Sequence, residues 1–322
     1  MVQPERHPVA GEDYPRNWRE YLSWFATEEA CAQFLEQMRW PAGFACPSCG
    51  MCAEPYRASR GRLVCRDCRY QTSVTAGTIL EKTRTPLTTW FAAIWYLTNQ
   101  KHGCSALGLQ RVLGLGSYQT AWAMLHRLRR AMVRPGRERL HGAVEVDETY
   151  FGGQKRGVGG RHGRYKDIIA IAVELHEPRG FGRVRLRRVA DVSEDSLLPF
   201  VTDSVEPGSR IHTDGWSGYN ALARLGYRHQ RTVLRTQSDP AHVPMPAVHR
   251  VASLLKRWLL GTHQGAVQPE HLDDYLDEFT FRFNRRSSRS RGLLFYRLMA
   301  QVTASEPISY RALTARREKH NL

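Results

Sequence analysis

The sequence predicts an α+β chain of several domains: a helical N-terminus, a small cysteine-rich ribbon, a helix-turn-helix and a five-stranded sheet with flanking helices. Three observations carry that prediction. Two CxxC pairs lie in a stretch rich in Gly, Pro, Ser and Thr. Two helical patterns meet at Gly114–Leu115–Gly116. From residue 143 onward the apolar period changes from that of a helix to that of a strand. The segments are 1–40, 41–80, 84–135, 140–300 and a basic tail, 301–322, and a length of 322 residues accommodates them.

Residues 18–39 carry Tyr21, Leu22, Phe25, Cys31, Phe34, Leu35 and Met38 near helical spacing. They predict two short helices broken near Ala26–Thr27, the second capped by the Thr27 hydroxyl. Residues 41–80 hold only short β-prone stretches, at Arg62–Val64 and Gln71–Val74. Pro86 opens a helix to about Asn99, with Thr85 as its cap. Residues 104–133 form two helices around the glycine turn. The second sets Ala121, Met124, Leu125 and Leu128 on one face and leaves Arg127, Arg129 and Arg130 largely off it. That is a helix-turn-helix pattern with a basic second helix, although an ordinary helical hairpin has the same signature. Strands are expected at 143–151, 167–175, 182–191, 209–214 and 227–234, and helices at 193–205, 216–224, 247–260 and 269–284. The third strand alternates Val184, Leu186 and Val189 with Arg183, Arg185 and Arg187, which predicts one solvated basic face.

Charge narrows the partner. The formal net charge is +16, and it is clustered. Residues 1–43 hold seven acids against four bases, whereas residues 155–188 hold ten bases against three acids and 281–322 ten against two. Such clusters point to a polyanion, because each phosphate contact releases counterions. No run approaches 18 apolar residues, so no membrane-spanning helix is expected. The acids Glu5, Glu12, Asp13, Glu20, Glu28 and Glu29 do not fit a signal peptide, and a cytoplasmic, nucleoid-associated location follows. Seven cysteines, mostly clustered, do not make a secreted disulfide framework.

Cys46-Pro-Ser-Cys49 and Cys65-Arg-Asp-Cys68 are separated by 15 residues. Each CxxC turn sets two thiolates about one tetrahedral edge apart, and two such turns close a four-sulfur zinc site. With all four positions filled by protein, the zinc is structural. A redox role would need only one pair. Cys52 is surplus, and Cys31 and Cys104 fall on helical faces as core residues.

Two carboxylates are placed for chemistry. Asp147 closes the first strand of the sheet and Asp214 the fourth, each after an apolar run. Carboxylates at the ends of neighbouring strands can share divalent metal, an arrangement common in phosphodiester chemistry. A third ligand from a later helix falls on His249, 35 positions beyond Asp214, with Lys256 two turns further along the same face. Imidazole is softer than carboxylate and better suited to transition metals. The glycine-rich loop 154–166 brings Lys155, Arg156, Arg161, Arg164 and Lys166 to phosphate. It is neither a Walker loop nor a dinucleotide fingerprint, so no nucleotide cofactor is expected.

Taken together, CPSCG…CRDC, TAWAMLHRLRRAM, VEVDETYFGG, HTDGWSGY, SLLKRWLLGTH and YLDEFTFRFNRR resemble the DDE-type insertion-sequence transposases of family fifteen-ninety-five, over roughly residues 20–300. The resemblance implies a ribonuclease-H-like core with a mixed five-stranded sheet. It implies a transposase that binds double-stranded DNA at the element's ends, through Arg127 and Arg130 among others, as a homo-oligomer. Asp147 and Asp214 would be the first two metal-binding acids, His249 would stand where related enzymes have Glu, and Lys256 would be the basic residue that follows. The catalytic ions would be Mg²⁺ or Mn²⁺, and Glu270 or Asp274 stays open as a further ligand. The alternatives are a zinc-ribbon DNA-binding regulator and a transposase relic disabled at His249.

Overall fold

The computed structural model describes residues 7–134, 136–152, 166–176, 180–232 and 244–315. The chain divides into two units, Met1–Arg134 with Ser287–Ala315, and Pro135–Arg286 with Arg316–Leu322. The first unit opens with α1 (Trp18–Trp24) and α2 (Glu28–Arg39). The Thr27 hydroxyl caps α2 as expected, accepting the Ala30 N–H at 3.2 Å. The ribbon is a three-stranded antiparallel sheet of β1 (Tyr56–Ala58), β2 (Arg62–Val64) and β3 (Gln71–Ser73), in that order. Helix α3 (Leu87–Asn99) starts one residue later than expected, with Pro86 at its N-cap and no cap from Thr85. Its exposed first turn is held by Glu28 of α2, whose carboxylate accepts the N–H groups of Leu87 and Thr88 at 2.7 and 2.8 Å. Helices α4 (Ala106–Leu113) and α5 (Tyr118–Ala131) form the helical pair, turning at Gly114, whose φ of 61° favours glycine.

The second unit is built on strands β4 (Ala143–Phe151), β5 (Asp167–Leu175), β6 (Phe181–Val189), β7 (Arg210–Asp214) and β8 (Arg228–Thr232), in the order β6-β5-β4-β7-β8. Strand β5 runs antiparallel to both β4 and β6, and β7 and β8 run parallel to β4. This mixed sheet with helices on both faces is the ribonuclease-H-like core. Helix α6 (Glu194–Ser204) covers one face, where Leu197, Phe200 and Val201 pack with Val144, Val146 and Ile211. Helices α7 (Pro246–His263) and α8 (Leu272–Phe283) cover the other, where Val248, Val251, Leu255 and Leu276 pack with Ile169, Ile171 and Val184. The helix expected at 216–224 is a short 3₁₀ segment, Ser217–Ala223.

One expectation fails here. Of the arginines of β6 only Arg187, in an exposed pair with Asp203, is solvated as expected. Arg185 is buried, donating to the carbonyl oxygens of Val184 and Glu138, and burial pushes its pKa down to about 10. Arg183 forks onto the buried Glu174 of β5. The alternation was real, but carbonyls and a carboxylate from outside the strand satisfy the polar side.

Helices α9 (Arg291–Ala304) and α10 (Tyr310–Thr314) return to the first unit. The sheet domain therefore ends near residue 286 rather than 300. Phe295 of α9 lies 5.5 Å from both Phe25 and Trp95 and 5.9 Å from Phe91, and completes an aromatic core that the N-terminal helices lack without it. Gly292 is required at this contact, since a Cβ there would overlap the Pro15 carbonyl oxygen. The expected tail from 301 is thus partly structured, with Val302 and Leu313 buried. Residues 316–322 lie outside the described residues.

Candidate functional site

The two aspartates lie on paired strands. Strand β4 pairs with β7 in parallel, Ala143 with Arg210, Val144 with Ile211 and Glu145 with His212. The paired register ends there, two residues short of Asp147 on β4 and of Asp214 on β7, and strand alternation puts both aspartates on the same face of the sheet as Glu145 and His212. Asp214 does end its strand, whereas Asp147 lies at the middle of β4, four residues before its end. Asp147 accepts the Glu148 N–H at 2.8 Å, and the buried Asp214 accepts the Trp216 N–H at 3.0 Å. Beside them stands Tyr219, fully buried, whose hydroxyl donates to Glu148 at 3.2 Å. Its ionisation is pushed far above the usual range, by burial first and then by the charges of Glu148, Asp147 and Asp214. Tyr219 thus holds Glu148, which by strand alternation lies on the face of β4 opposite Asp147. The oxygen donors of Asp147 and Asp214 are of the type that suits a hard divalent cation.

Helix α7 reaches the same face of the sheet. Glu145, only 3% exposed, extends its carboxylate to the first turn of α7 and accepts the N–H groups of Ala247 and Val248 at 2.8 and 2.9 Å. Those donors have no partner within the helix, so an anion there is favourable. Burial raises the Glu145 pKa above the usual carboxylate value, against the pull of the two N–H groups. The next residue after this clamp is His249, half-buried, with Nε2 shielded from solvent. Asp147, Asp214 and His249 do not form a ligand group as tight as that of the cysteines, whose sulfurs all lie within 4.8 Å of one another. Lys256 is half-buried further along α7. Its pKa is lowered, by burial and then by the charge of Lys166, so these two predicted cations are neighbours. Lys155, Arg156, Arg161 and Arg164 lie outside the described residues.

Glu270 and Asp274 belong to the other end of α7. His263, in its last turn, packs on Tyr275 at 4.6 Å, and 14 residues of helix, about 21 Å, separate it from His249. Glu145, Glu148 and Tyr219 were not singled out from sequence. The alternation of VEVDETYF carried the signal for Glu145, but a polar residue on an alternating strand reads as solvent-facing.

In the first unit, the four cysteine sulfurs gather as their spacing predicts. Cys46 and Cys68 stand 3.7 Å apart, as do Cys49 and Cys65. A tetrahedral site with metal–sulfur bonds near 2.3 Å needs edges of about 3.8 Å, so the cluster fits zinc. The N–H groups of Cys49 and Ser48 and the neighbouring thiols lower the Cys46 thiol against desolvation, while the same neighbours raise Cys49, so the four sulfurs titrate as one coupled group. Arg127 and Arg130 are less available than the helical pattern implied. Arg127 donates to the Ile308 carbonyl and both are half-buried, because α5 is a core helix of its unit. The exposed residues of α5 are Tyr118 and Gln119, in its first turn.

Among the described residues no helix is long and apolar enough to cross a membrane. Residues 139–284 match the ISXO2-like transposase domain, and residues 26–71 the transposase zinc-ribbon domain. The chain is 28% identical over 283 residues to an uncharacterised protein of the transposable element ISH50 from Halobacterium salinarum, over 80% of this chain and 91% of that protein. It is 27% identical over 103 residues to an uncharacterised transposase-like protein of Haemophilus influenzae, over 32% of this chain and 82% of that one. With a zinc ribbon followed by a transposase domain on a ribonuclease-H-like sheet, the chain carries both domains matched in the DDE-type insertion-sequence transposases of family fifteen-ninety-five and is similar to them.

Proposed function

We propose that the chain binds the ends of its element as a homo-oligomer, cuts there, and joins the freed 3′ ends to target DNA in the nucleoid. The observation that supports this best is the parallel pairing of β4 with β7, the two strands that carry Asp147 and Asp214, on the sheet whose one face meets the start of α7. Asp147 and Asp214 would hold Mg²⁺ or Mn²⁺, with His249 as the third ligand. Such a metal, when bound, lowers the pKa of an attacking water and offsets charge on the departing 3′ oxygen. The chain's own residues do the positioning. Glu145 holds the first turn of α7, and with it His249, against the strand that carries Asp147. Tyr219 fixes the Glu148 carboxylate by its hydroxyl. Lys256 and Lys166 neutralise a phosphate at the site, and the loop with Lys155, Arg156, Arg161 and Arg164 extends that contact along the backbone. Cutting and joining are both in-line displacements at a phosphodiester, so one site serves both. The nucleophile is water in the first step and a DNA 3′-OH in the second, and no protein–DNA bond forms. The four-cysteine zinc is structural, and the helix-turn-helix and ribbon recognise the ends.

The test is strand transfer by wild type, His249→Ala and Asp147→Ala in Mg²⁺ and in Mn²⁺, with DNA binding measured alongside. Both variants should bind DNA and lose most strand transfer. Wild type should prefer Mn²⁺, and His249→Glu should move the preference towards Mg²⁺. Full strand transfer by His249→Ala, with Asp147→Ala inactive, would make His249 a bystander.

A further inference from the structure

The ribbon carries a feature that zinc binding does not explain. Tyr56 lies on β1, an edge strand, and its side chain is 47% exposed. Two guanidinium groups sit against its ring, Arg66 at 4.8 Å and Arg69 at 5.4 Å from the centroid. Both come from the second cysteine turn, one on either side of Cys68. Of the other arginines of the ribbon, Arg57 pairs with Glu36 and Glu54, and Arg62 with Gln71, while Arg60 is exposed and away from the Tyr56 ring. Arg66 and Arg69 have no carboxylate partner among the described residues. Two like charges drawn to one ring repel each other, and an anion between them removes that cost.

The backbone adds an independent observation. Arg69 directly follows the second CxxC and has a φ of 61°, a region that disfavours any L side chain. Gly50 stands at the same place after the first CxxC, with a φ of 74°. The turn is thus one that glycine suits, yet the second copy holds an arginine whose guanidinium goes to Tyr56. We propose that Tyr56, Arg66 and Arg69 form a phosphate clamp that grips the backbone of double-stranded DNA without reading its sequence. The proposal rests on the DNA-binding reading above. The ring orients the two guanidiniums by cation–π contact, and each offers a planar fork of N–H donors that matches phosphate oxygens.

The test measures binding of the full-length, zinc-loaded protein to a duplex of the element's end and to a random duplex, across a salt series. Zinc content and thermal midpoint are measured on each sample. Arg66→Ala with Arg69→Ala should weaken both duplexes by a similar factor and reduce the slope of log K against log salt by about 0.9, the share of the one phosphate held between them. Tyr56→Phe should bind as wild type, and Tyr56→Leu should lose much of what the double variant loses. Arg69→Gly should raise the thermal midpoint while weakening DNA, a pairing that a structural role for Arg69 does not give. An unchanged slope in the double variant, with wild type binding normally, overturns the clamp. So does loss of zinc in step with loss of DNA, which would make the arginines partners of the thiolates, and so does weakening confined to the element's end. Failure of wild type to bind either duplex overturns the DNA-binding reading, and the clamp with it.

Discussion

Replacing Glu145 tests the link between fold and site. Its carboxylate accepts two N–H groups at the start of α7 and is almost wholly buried. A hydrogen bond to a charged group contributes about 1.5–3 kcal/mol, and each donor left buried without a partner costs about 1–3 kcal/mol. Against this stands the cost of keeping a carboxylate out of water, visible in its raised pKa. Glu145→Ala should then destabilise the second unit by about 2–4 kcal/mol, or about 5–15 °C in thermal midpoint. Glu145→Gln keeps the shape and a carbonyl acceptor, so it should cost about 1 kcal/mol. Urea unfolding gives the stability, and cleavage of an end duplex in Mn²⁺ gives the activity at a temperature where each variant is folded. Glu145→Ala should lose cleavage beyond its loss of folded protein, because the first turn of α7 is no longer held to β4, and Glu145→Gln should recover most of it. An alanine variant within about 0.5 kcal/mol of wild type, cleaving normally, would show that the carboxylate does not hold the helix.

Two further outcomes follow from the ribbon and from the sheet's buried ion pair. Metal analysis should find close to one zinc per chain, and Cys65→Ser should abolish it while leaving the thermal transition of the second unit in place; stoichiometric zinc in the variant would refute the four-sulfur site. For Glu174, burial alone would raise the pKa, but the Arg183 side chain, its N–H and the His141 N–H bring it to about 2 from 4.5. A depressed carboxylate contributes stability above its unfolded pKa and loses it as pH falls, so about 3 kcal/mol should disappear between about pH 4.5 and pH 2. Glu174→Gln should be less stable at neutral pH and flatter across that window, and an equally steep acid transition in the variant would refute the pairing.

What was legible in the sequence is what local pattern determines. An alternating run placed β4 and a continuous apolar, β-branched run placed β5 at their observed bounds, the paired CxxC turns placed the sulfurs, and Thr27 and Gly114 marked helix ends. What was not legible depends on partners distant in the chain. Helix α9 was not read from the sequence, and nothing in it says that Phe295 meets Phe25, Phe91 and Trp95, which lie 200 to 270 residues earlier. Arg185 reads as solvated because the carbonyl that takes its guanidinium lies 47 residues away. The same limit hid the first turn of α3, held by Glu28 at a separation of 59 residues. At the candidate site, Asp147 and Asp214 were visible as acids after apolar runs, but the pairing of β4 with β7 that brings their strands together was not.

The strand that carries Asp147 ties the site to the core by its alternation. Val144 and Val146 point to the α6 side and pack among Leu197, Phe200 and Val201, while Glu145 and Asp147 point to the α7 side. A slip of β4 by one residue against its neighbours would turn both acids towards α6 and both valines towards α7. That exchange would bury two carboxylates among apolar side chains and remove the acceptor from the N–H groups of Ala247 and Val248. Register is therefore fixed twice, by the valines on one face and by the Glu145 clamp on the other. Along β4, Glu145 and Asp147 are one pleat repeat apart, about 6.8 Å. Along α7, His249 follows Val248 by one rise of about 1.5 Å. The clamp thus lies one step from each of two proposed ligands, one on the strand and one on the helix. The residue that fixes the strand's register is the same one that places the helix, so neither ligand can shift without breaking a buried hydrogen bond.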